Sequence, residues 1–401
     1  MTKEKNQNKY NKKRAKILLK GIIPSLFAIF IPKIKNRIIF NSNRNEFFNY
    51  NSKYLFEYFI KNYSDYEVKF VMNDNEKRDK LNKEYGEENN YFIETETLKG
   101  MWYALRAKGW ICSALETPVG GIFQKINRFV YHVGHGAYFR SAGFLENYFP
   151  WHKKLYYHLI KHNFSYHLIT SDEIAKVADI MFACKKEQLN IIGEPMNDII
   201  YTPNKELLYK YFPDFDNSKS ILYAPTWRQD GSLKLFPFDD MNWENFIKFL
   251  ETENITFYLR MHPSFEEDLS FYTNMSNKFK ILDNSKVEDI NEVMGAFNML
   301  ITDYSSIFTS FLLLNKPLLF LPYDLDKYQE RMGFVMNYHK ATPGPKPKNI
   351  KDFQEEILKL FNNKNYYKKE REKSLKLFHN YTKDNCKMNA EFIIKNLKDK
   401  K

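Results

Sequence analysis

The sequence predicts an α/β protein made of two parallel-sheet domains preceded by a basic, apolar arm. Three observations predict this. Short apolar runs of strand length alternate with segments of helical spacing, the order that gives a parallel sheet flanked by helices. The 401 residues are enough for two such domains with separate cores. Turns rich in Ser, His and Arg recur just after the strands, where ligands of a parallel sheet bind. On this reading residues 1–37 form the arm, 38–203 the first domain, and 204–401 the second domain with its C-terminal helices.

Composition narrows the function classes. Hydrophobic residues make up 43% of the chain and aromatics 17%, which excludes a disordered protein. Lys and Arg number 61 against 49 Asp and Glu, a net +12 that points to an anionic partner: nucleic acid, acidic lipid or a phosphorylated substrate. The three cysteines, Cys112, Cys184 and Cys386, are widely spaced and odd in number. They suit neither a disulfide framework nor a zinc site and predict a reducing compartment.

In the arm, Lys9, Lys12, Lys13, Arg14, Lys16 and Lys20 lead into GIIPSLFAIFIP, and Lys33, Lys35 and Arg37 follow. The uncharged stretch from Gly21 to Pro32 has 12 residues, fewer than the ~20 a spanning helix needs. No small-x-small cleavage site follows it. A basic and apolar segment of this kind fits a helix lying on an anionic membrane; a core-packed first helix and a single anchor span are the alternatives.

The first domain opens with strand character at Arg37–Phe40. A helix from Ser52 to Tyr63 carries Leu55, Phe56, Phe59 and Ile60 on one side, and Glu67–Met72 is the next strand. Met101–Lys108 reads as a helix and Gly109–Ser113 as a strand. The apolar approach to Tyr131 then ends in Gly134, His135 and Gly136. A histidine between glycines in a turn lets a ligand come close, and its ring titrates near neutrality, so His135 could take a proton from an attacking hydroxyl. A surface or structural histidine is the alternative. Leu168–Ser171 is a strand, Asp172–Phe182 a helix and Leu189–Gly193 a strand. The turn-rich Glu194–Asp198 after it either contacts ligand or ends the sheet.

The second domain begins at Ser220–Ala224, whose end carries Thr226 and Arg228, a donor and a cation suited to phosphate. Ile255–Arg260 follows, and Pro263 stops it, which leaves Arg260 and His262 on the carboxyl edge. After a strand at Lys280–Asp283 comes FNMLITDYSSIFTSFLLLNKPLLFLPYD, a strand, turn, helix and strand between Phe297 and Asp324. Its turn holds Asp303, Ser305 and Ser306 at a helix start, where unpaired N–H groups and the dipole favour an anion. An ordinary capped helix would carry the same residues. In the polar loop beyond, a carboxylate such as Asp324 could hold ribose hydroxyls; an ordinary solvated surface loop is the alternative. From Ile350 the chain reads as charged helices packed on the outside.

Taken together, HGAYFR, GEPMNDIIY, YAPTWR, RMHP, ITDYSSIFTSFLLLNKPLLFLPYDLDKY and RMGF, in this order over roughly residues 38–385, resemble the CDP-glycerol glycerophosphotransferase family of teichoic acid primases, polymerases and capsule-synthesis relatives. The resemblance implies a GT-B fold: two Rossmann-like domains with the active site in the cleft between them, and a basic N-terminal segment docked on the membrane. It implies that His135 and His262 are the essential histidines and that Ser305 and Ser306, with Asp303 nearby, contact the donor phosphates. Gly134, Ala137, Tyr138 and the Met332 that interrupts RMGF depart from the family pattern. They lie around the reaction centre and the polyol end.

The implied reaction moves glycerol phosphate or ribitol phosphate from a CDP-alcohol to a hydroxyl of a lipid-linked or glycan acceptor and releases CMP. It would take place peripherally on the cytoplasmic face of the membrane, with no nucleic acid among the partners. No cluster of carboxylates has metal-ligand spacing, so no resident metal is expected; any Mg²⁺ would enter with the nucleotide. A GT-B glycosyltransferase using a UDP- or GDP-sugar is the alternative enzyme, and a non-catalytic membrane scaffold the alternative outside catalysis.

Overall fold

In the computed structural model, residues 3–216, 219–228, 232–261 and 268–399 are described, with the side chains of residues 3–12 and 399 left aside. The chain forms two compact units. The first comprises Met1–His135, Ala142–Asp198 and Asn380–Lys401; the second comprises Gly136–Ser141 and Ile199–His379.

The first unit is built on a seven-stranded sheet: β1 (Ile34–Asn41), β2 (Glu67–Val71), β3 (Phe92–Ile93), β4 (Ala107–Cys112), β5 (Phe129–His132), β6 (Tyr166–Ile169) and β7 (Leu189–Ile191). The order is β3-β2-β1-β4-β5-β6-β7, with every pair parallel. The central strands are buried on both faces, which is why they read as continuous apolar runs and not as alternation. On one face Ile38, Phe40, Phe70, Ile111 and Phe129 pack against Leu55, Phe56 and Phe59 of the helix Tyr50–Asn62 and against Ala390, Ile393 and Leu397. On the other, Ile39, Val71, Trp110 and Val130 pack against Ala104, Leu105 and Phe164.

The second unit holds five parallel strands, β8 (Ser220–Tyr223), β9 (Thr256–Leu259), β10 (Phe279–Ile281), β11 (Met299–Thr302) and β12 (Leu318–Phe320), in the order β10-β9-β8-β11-β12. Ile221, Phe257, Met299 and Leu319 pack against Phe246 and Leu250 of the helix Trp243–Thr252 and against Phe353, Ile357 and Leu360 of the helix Ile350–Asn362. In both sheets the winding direction reverses once, at β1/β4 and at β8/β11, and the carboxyl edge at such a reversal opens a crevice for ligand.

The expected strands are all present. Three details differ from the sequence reading. The two-residue β3 is too short to leave a pattern. The helix expected through Lys108 ends at Leu105, because Ala107 and Lys108 already belong to the buried strand β4. The segment after Asp324, expected as a polar loop, is the helix Leu325–Arg331, in which Leu, Lys, Gln, Glu and Arg favour helix and neither Gly nor Pro interrupts it.

The chain's end also differs from a division at residue 203. The helix Asn385–Asp399 returns to the first unit, where Asp198 caps it by accepting the Asn385 and Cys386 N–H groups at 3.0 and 2.8 Å. That gives the Glu194–Asp198 turn an anchoring task. Gly193 permits the close approach, since a Cβ there would lie 1.8 Å from the Asn385 side chain.

Candidate functional site

At the carboxyl edge of the first sheet, the loop after β5 carries His135 between Gly134 and Gly136, both at positive φ (66° and 133°). These are conformations that only glycine adopts without cost. The imidazole is exposed and its Nδ1 lies 3.1 Å from the Ser113 carbonyl oxygen. A carbonyl only accepts, so Nδ1 carries the proton and Nε2 is the basic nitrogen. Ser113 is itself fixed: its hydroxyl accepts the Ser52 N–H at 2.8 Å, and its N–H donates to Asn41 at 3.1 Å. The Tyr50 ring lies 4.9 Å from the imidazole at 32°. Asn51, fully buried, donates to the Val133 and Gly134 carbonyls at 2.8 and 3.1 Å and to Glu194 at 3.1 Å. The turn that presents His135 is therefore held by the first turn of the helix Tyr50–Asn62.

At the carboxyl edge of the second sheet, Thr226, Arg228, Arg260, Asp303, Ser305, Ser306 and Asp324 follow β8, β9, β11 and β12. The structure gives them different tasks. Arg228, only 5% exposed, donates to Asp324 at 3.0 and 2.9 Å, to Asp303 at 2.9 Å and to the Thr226 carbonyl at 2.5 Å. The rings of Tyr304, Tyr323 and Tyr328 surround it at 4.8–5.5 Å. Four of its five N–H groups are thereby engaged. Asp303 also accepts the Thr226 and Tyr304 N–H groups at 2.8 and 2.5 Å, and Asp324 accepts the Tyr304 hydroxyl at 2.9 Å. These residues form a brace that ties the loops after β8, β11 and β12 together.

Arg260 ties down a neighbouring loop, donating to the Leu282, Val287 and Glu288 carbonyls at 3.3, 2.6 and 3.2 Å. Four side chains at this edge are less fully engaged. The Thr226 hydroxyl is buried and makes no hydrogen bond among the described residues. Ser305 and Ser306 are half-buried; Ser306 stands at the helix start without its side chain capping Ile307–Phe311, and among the described residues the Ser305 hydroxyl makes only a long 3.4 Å contact to the Ile307 N–H. Arg140, which sequence reading passed over, lies in the stretch Gly136–Ser141 that belongs to the second unit, and among the described residues its side chain donates to the Tyr328 hydroxyl at 3.3 Å. Its signal was present as the last residue of HGAYFR. His262 lies outside the described residues.

The arm is the helix Lys3–Phe27, kept in contact with the first unit by glycines. A Cβ on Gly21 would lie 2.3 Å from Gly120, and one on Gly120 2.0 Å from the Ile17 carbonyl, so only glycine permits this crossing. Arg14 pairs with buried Glu116, and Lys13 with Glu46. Facing away are Leu19, Ile23, Leu26, Phe27 and Phe30, 58–80% exposed. Arg14 also stacks on Tyr156 of the helix Trp151–Ile160, whose Trp151, Leu155 and Leu159 are exposed at successive turns. Among the described residues, no helix is long and apolar enough to cross a membrane. No three His, Cys, Asp or Glu side chains among them are grouped to hold a metal.

Comparison with known proteins bears on the fold and the family. Residues 25–393 match the family model of CDP-glycerol:poly(glycerophosphate) glycerophosphotransferases. The teichoic acid glycerol-phosphate primase of Bacillus subtilis (strain 168) is 34% identical over 183 residues, 45% of this chain and 46% of that protein. The teichoic acid poly(glycerol phosphate) polymerase of the same organism is 27% identical over 371 residues, 88% of this chain and 48% of that protein. The chain thus spans less than half the length of either, whereas it covers 92% of the polymerase of Bacillus spizizenii at 27% identity. A solved structure of the wall teichoic acid polymerase TagF, a variant soaked with CDPG, superposes with a TM-score of 0.74 at 22% identity, over 97% of this chain and 94% of that one. The fold is therefore TagF-like, and the chain belongs to the CDP-glycerol:poly(glycerophosphate) glycerophosphotransferase family.

Proposed function

We propose that the protein transfers glycerol phosphate or ribitol phosphate from a CDP-alcohol to a hydroxyl of a lipid-linked or glycan acceptor, releasing CMP. The observation that carries this reading is His135. It stands on a glycine turn at the carboxyl edge of the first sheet, with Nδ1–H tied to the Ser113 carbonyl, which makes Nε2 the basic nitrogen. As the acceptor oxygen attacks the phosphorus that bears the polyol, its proton passes to Nε2. The bond from that phosphorus to the bridging oxygen breaks, and CMP leaves with the electron pair. The growing charge on the diphosphate is met by Ser305, Ser306, the Thr226 hydroxyl and Arg140, while Arg228, Asp303 and Asp324 hold the loops that carry them. His262 keeps its assignment as the second histidine, and any Mg²⁺ would come with the nucleotide. The two parallel-sheet units support the GT-B expectation.

Membrane attachment is part of the same reading. The exposed stripe Leu19, Ile23, Leu26, Phe27 and Phe30 and the stripe Trp151, Leu155 and Leu159 lie in one unit, flanked by exposed Lys16 and Lys20. Apolar stripes bordered by lysines suit the interface of an anionic bilayer. The test of the donor is competition. CDP and CMP should displace a labelled CDP-alcohol at concentrations at least tenfold below UDP or GDP. Preference for UDP or GDP would move the assignment to a sugar transferase.

A further inference from the structure

At the amino edge of the first sheet, the edge opposite His135, lies an open cavity of about 870 Å³ that the proposed reaction does not use. Its lining combines the apolar Ile29, Phe30, Ile31, Pro32 and Leu397 with four lysines, Lys33, Lys35, Lys108 and Lys398. None of these four lysines has a carboxylate partner among the described residues. Lys108 is 9% exposed at the start of β4, and Lys33 is half-buried with its ammonium donating to the Ala28 carbonyl at 2.6 Å. Nearby, the buried Arg128 guanidinium adds positive charge, held by the Ala107 and Leu105 carbonyls at 3.0 and 2.5 Å. Gathering cations this closely without an anion is unfavourable: burial, then Arg128 and Lys108, pull the Lys33 pKa down to about 7. At the rim, Ile29 and Phe30 are 45% and 80% exposed and continue the outward stripe of the arm.

We propose that this cavity binds the phosphate headgroup of an anionic membrane lipid, with Lys33, Lys35 and Lys108 on the phosphate and the acyl chains leaving along Ile29 and Phe30. Two features favour a lipid over a free phosphate ion: the volume far exceeds one phosphate, and the charged end adjoins an exposed apolar lip. The assignment rests on the reading that the arm faces a membrane, and it adds a defined headgroup site to a general basic attraction.

The test uses the full chain and two lipid probes: phosphatidylglycerol vesicles, and a short-chain phosphatidylglycerol kept below its micelle concentration. Lys35→Ala with Lys108→Ala spares Lys33 and its bond to Ala28. It should weaken short-chain lipid binding roughly 30-fold, from about a tenfold change per 1.4 kcal/mol and ~1 kcal/mol for each lysine. Lys16→Ala with Lys20→Ala should weaken vesicle binding and leave short-chain lipid binding unchanged. An unchanged melting temperature shows that the lysine variants fold. Binding of short-chain lipid without binding of vesicles would support the cavity and refute membrane docking. The cavity assignment is overturned if short-chain lipid does not bind, if Lys35→Ala/Lys108→Ala leaves its affinity unaltered, or if inorganic phosphate binds as tightly as the lipid.

Discussion

Replacing Arg228 with Met separates two tasks that sequence alone could not tell apart, phosphate contact and internal brace. In the structure the guanidinium faces Asp303 and Asp324, which are 2% and 17% exposed at the side chain, and also holds the Thr226 carbonyl. Met keeps much of the volume and removes the charge, leaving two carboxylates without their cation. Losing one partner of a buried pair costs about 3–5 kcal/mol. Asp303 retains the Thr226 and Tyr304 N–H groups and Asp324 retains the Tyr304 hydroxyl and some water, so the lower end, about 3 kcal/mol, is expected. Urea unfolding followed by tryptophan fluorescence, to which Trp243 contributes from its place against the core of the second unit, reads this loss. Arg228→Lys should fall between, since an ammonium keeps the charge and loses the fork. A stability loss under about 1 kcal/mol together with abolished CDP binding would refute the brace and restore Arg228 as a phosphate ligand.

Further outcomes are expected. Ser305→Ala with Ser306→Ala should weaken CDP binding by about 1.5–3 kcal/mol per lost hydrogen bond and leave cytidine nearly unaffected, measured by calorimetry; equal effects on both ligands count against phosphate contact. Leu19→Ser, Ile23→Ser and Phe27→Ser together should release the protein from vesicles with little change in melting temperature, because all three side chains are more than half exposed. In the first unit His132 and His167 are buried with ring nitrogens 3.3 Å apart. Burial and then the neighbouring positive charge lower both, His167 to about 3. The unfolded chain then binds more protons below pH ~6.5, so stability is intact above that pH and is lost toward pH 3, by about 1.4 kcal/mol per unit for each histidine at most. His167→Phe should flatten that acid limb in pH-dependent unfolding.

Much of the fold was legible because both sheets are parallel and buried on both faces, which turns strands into apolar runs and their carboxyl ends into polar turns. Asp303, Ser305 and His135 could be placed on those ends from spacing alone. What stayed hidden depends on contacts between distant parts of the chain. Nothing local to Arg228 says that Asp303 and Asp324 will close on it. Nothing local to Ser113 says that its carbonyl will set the tautomer of a histidine 22 residues later. The return of Asn385–Asp399 to the first unit was likewise invisible, because its cap, Asp198, is 187 residues away. The second apolar stripe, Trp151, Leu155 and Leu159, does show helical spacing; only the structure shows that it faces outward.

The central claim is that His135 is the base for transfer of a polyol phosphate from a CDP-alcohol. The most direct measurement follows CMP release from CDP-glycerol and CDP-ribitol by the full chain, with and without a lipid-like acceptor, beside His135→Ala. The account predicts acceptor-dependent CMP release from one of the two donors, reduced by roughly 10²–10⁴ in His135→Ala while donor affinity stays within about twofold. Near-normal CMP release by His135→Ala, or a loss that appears only as weaker donor binding, would contradict it.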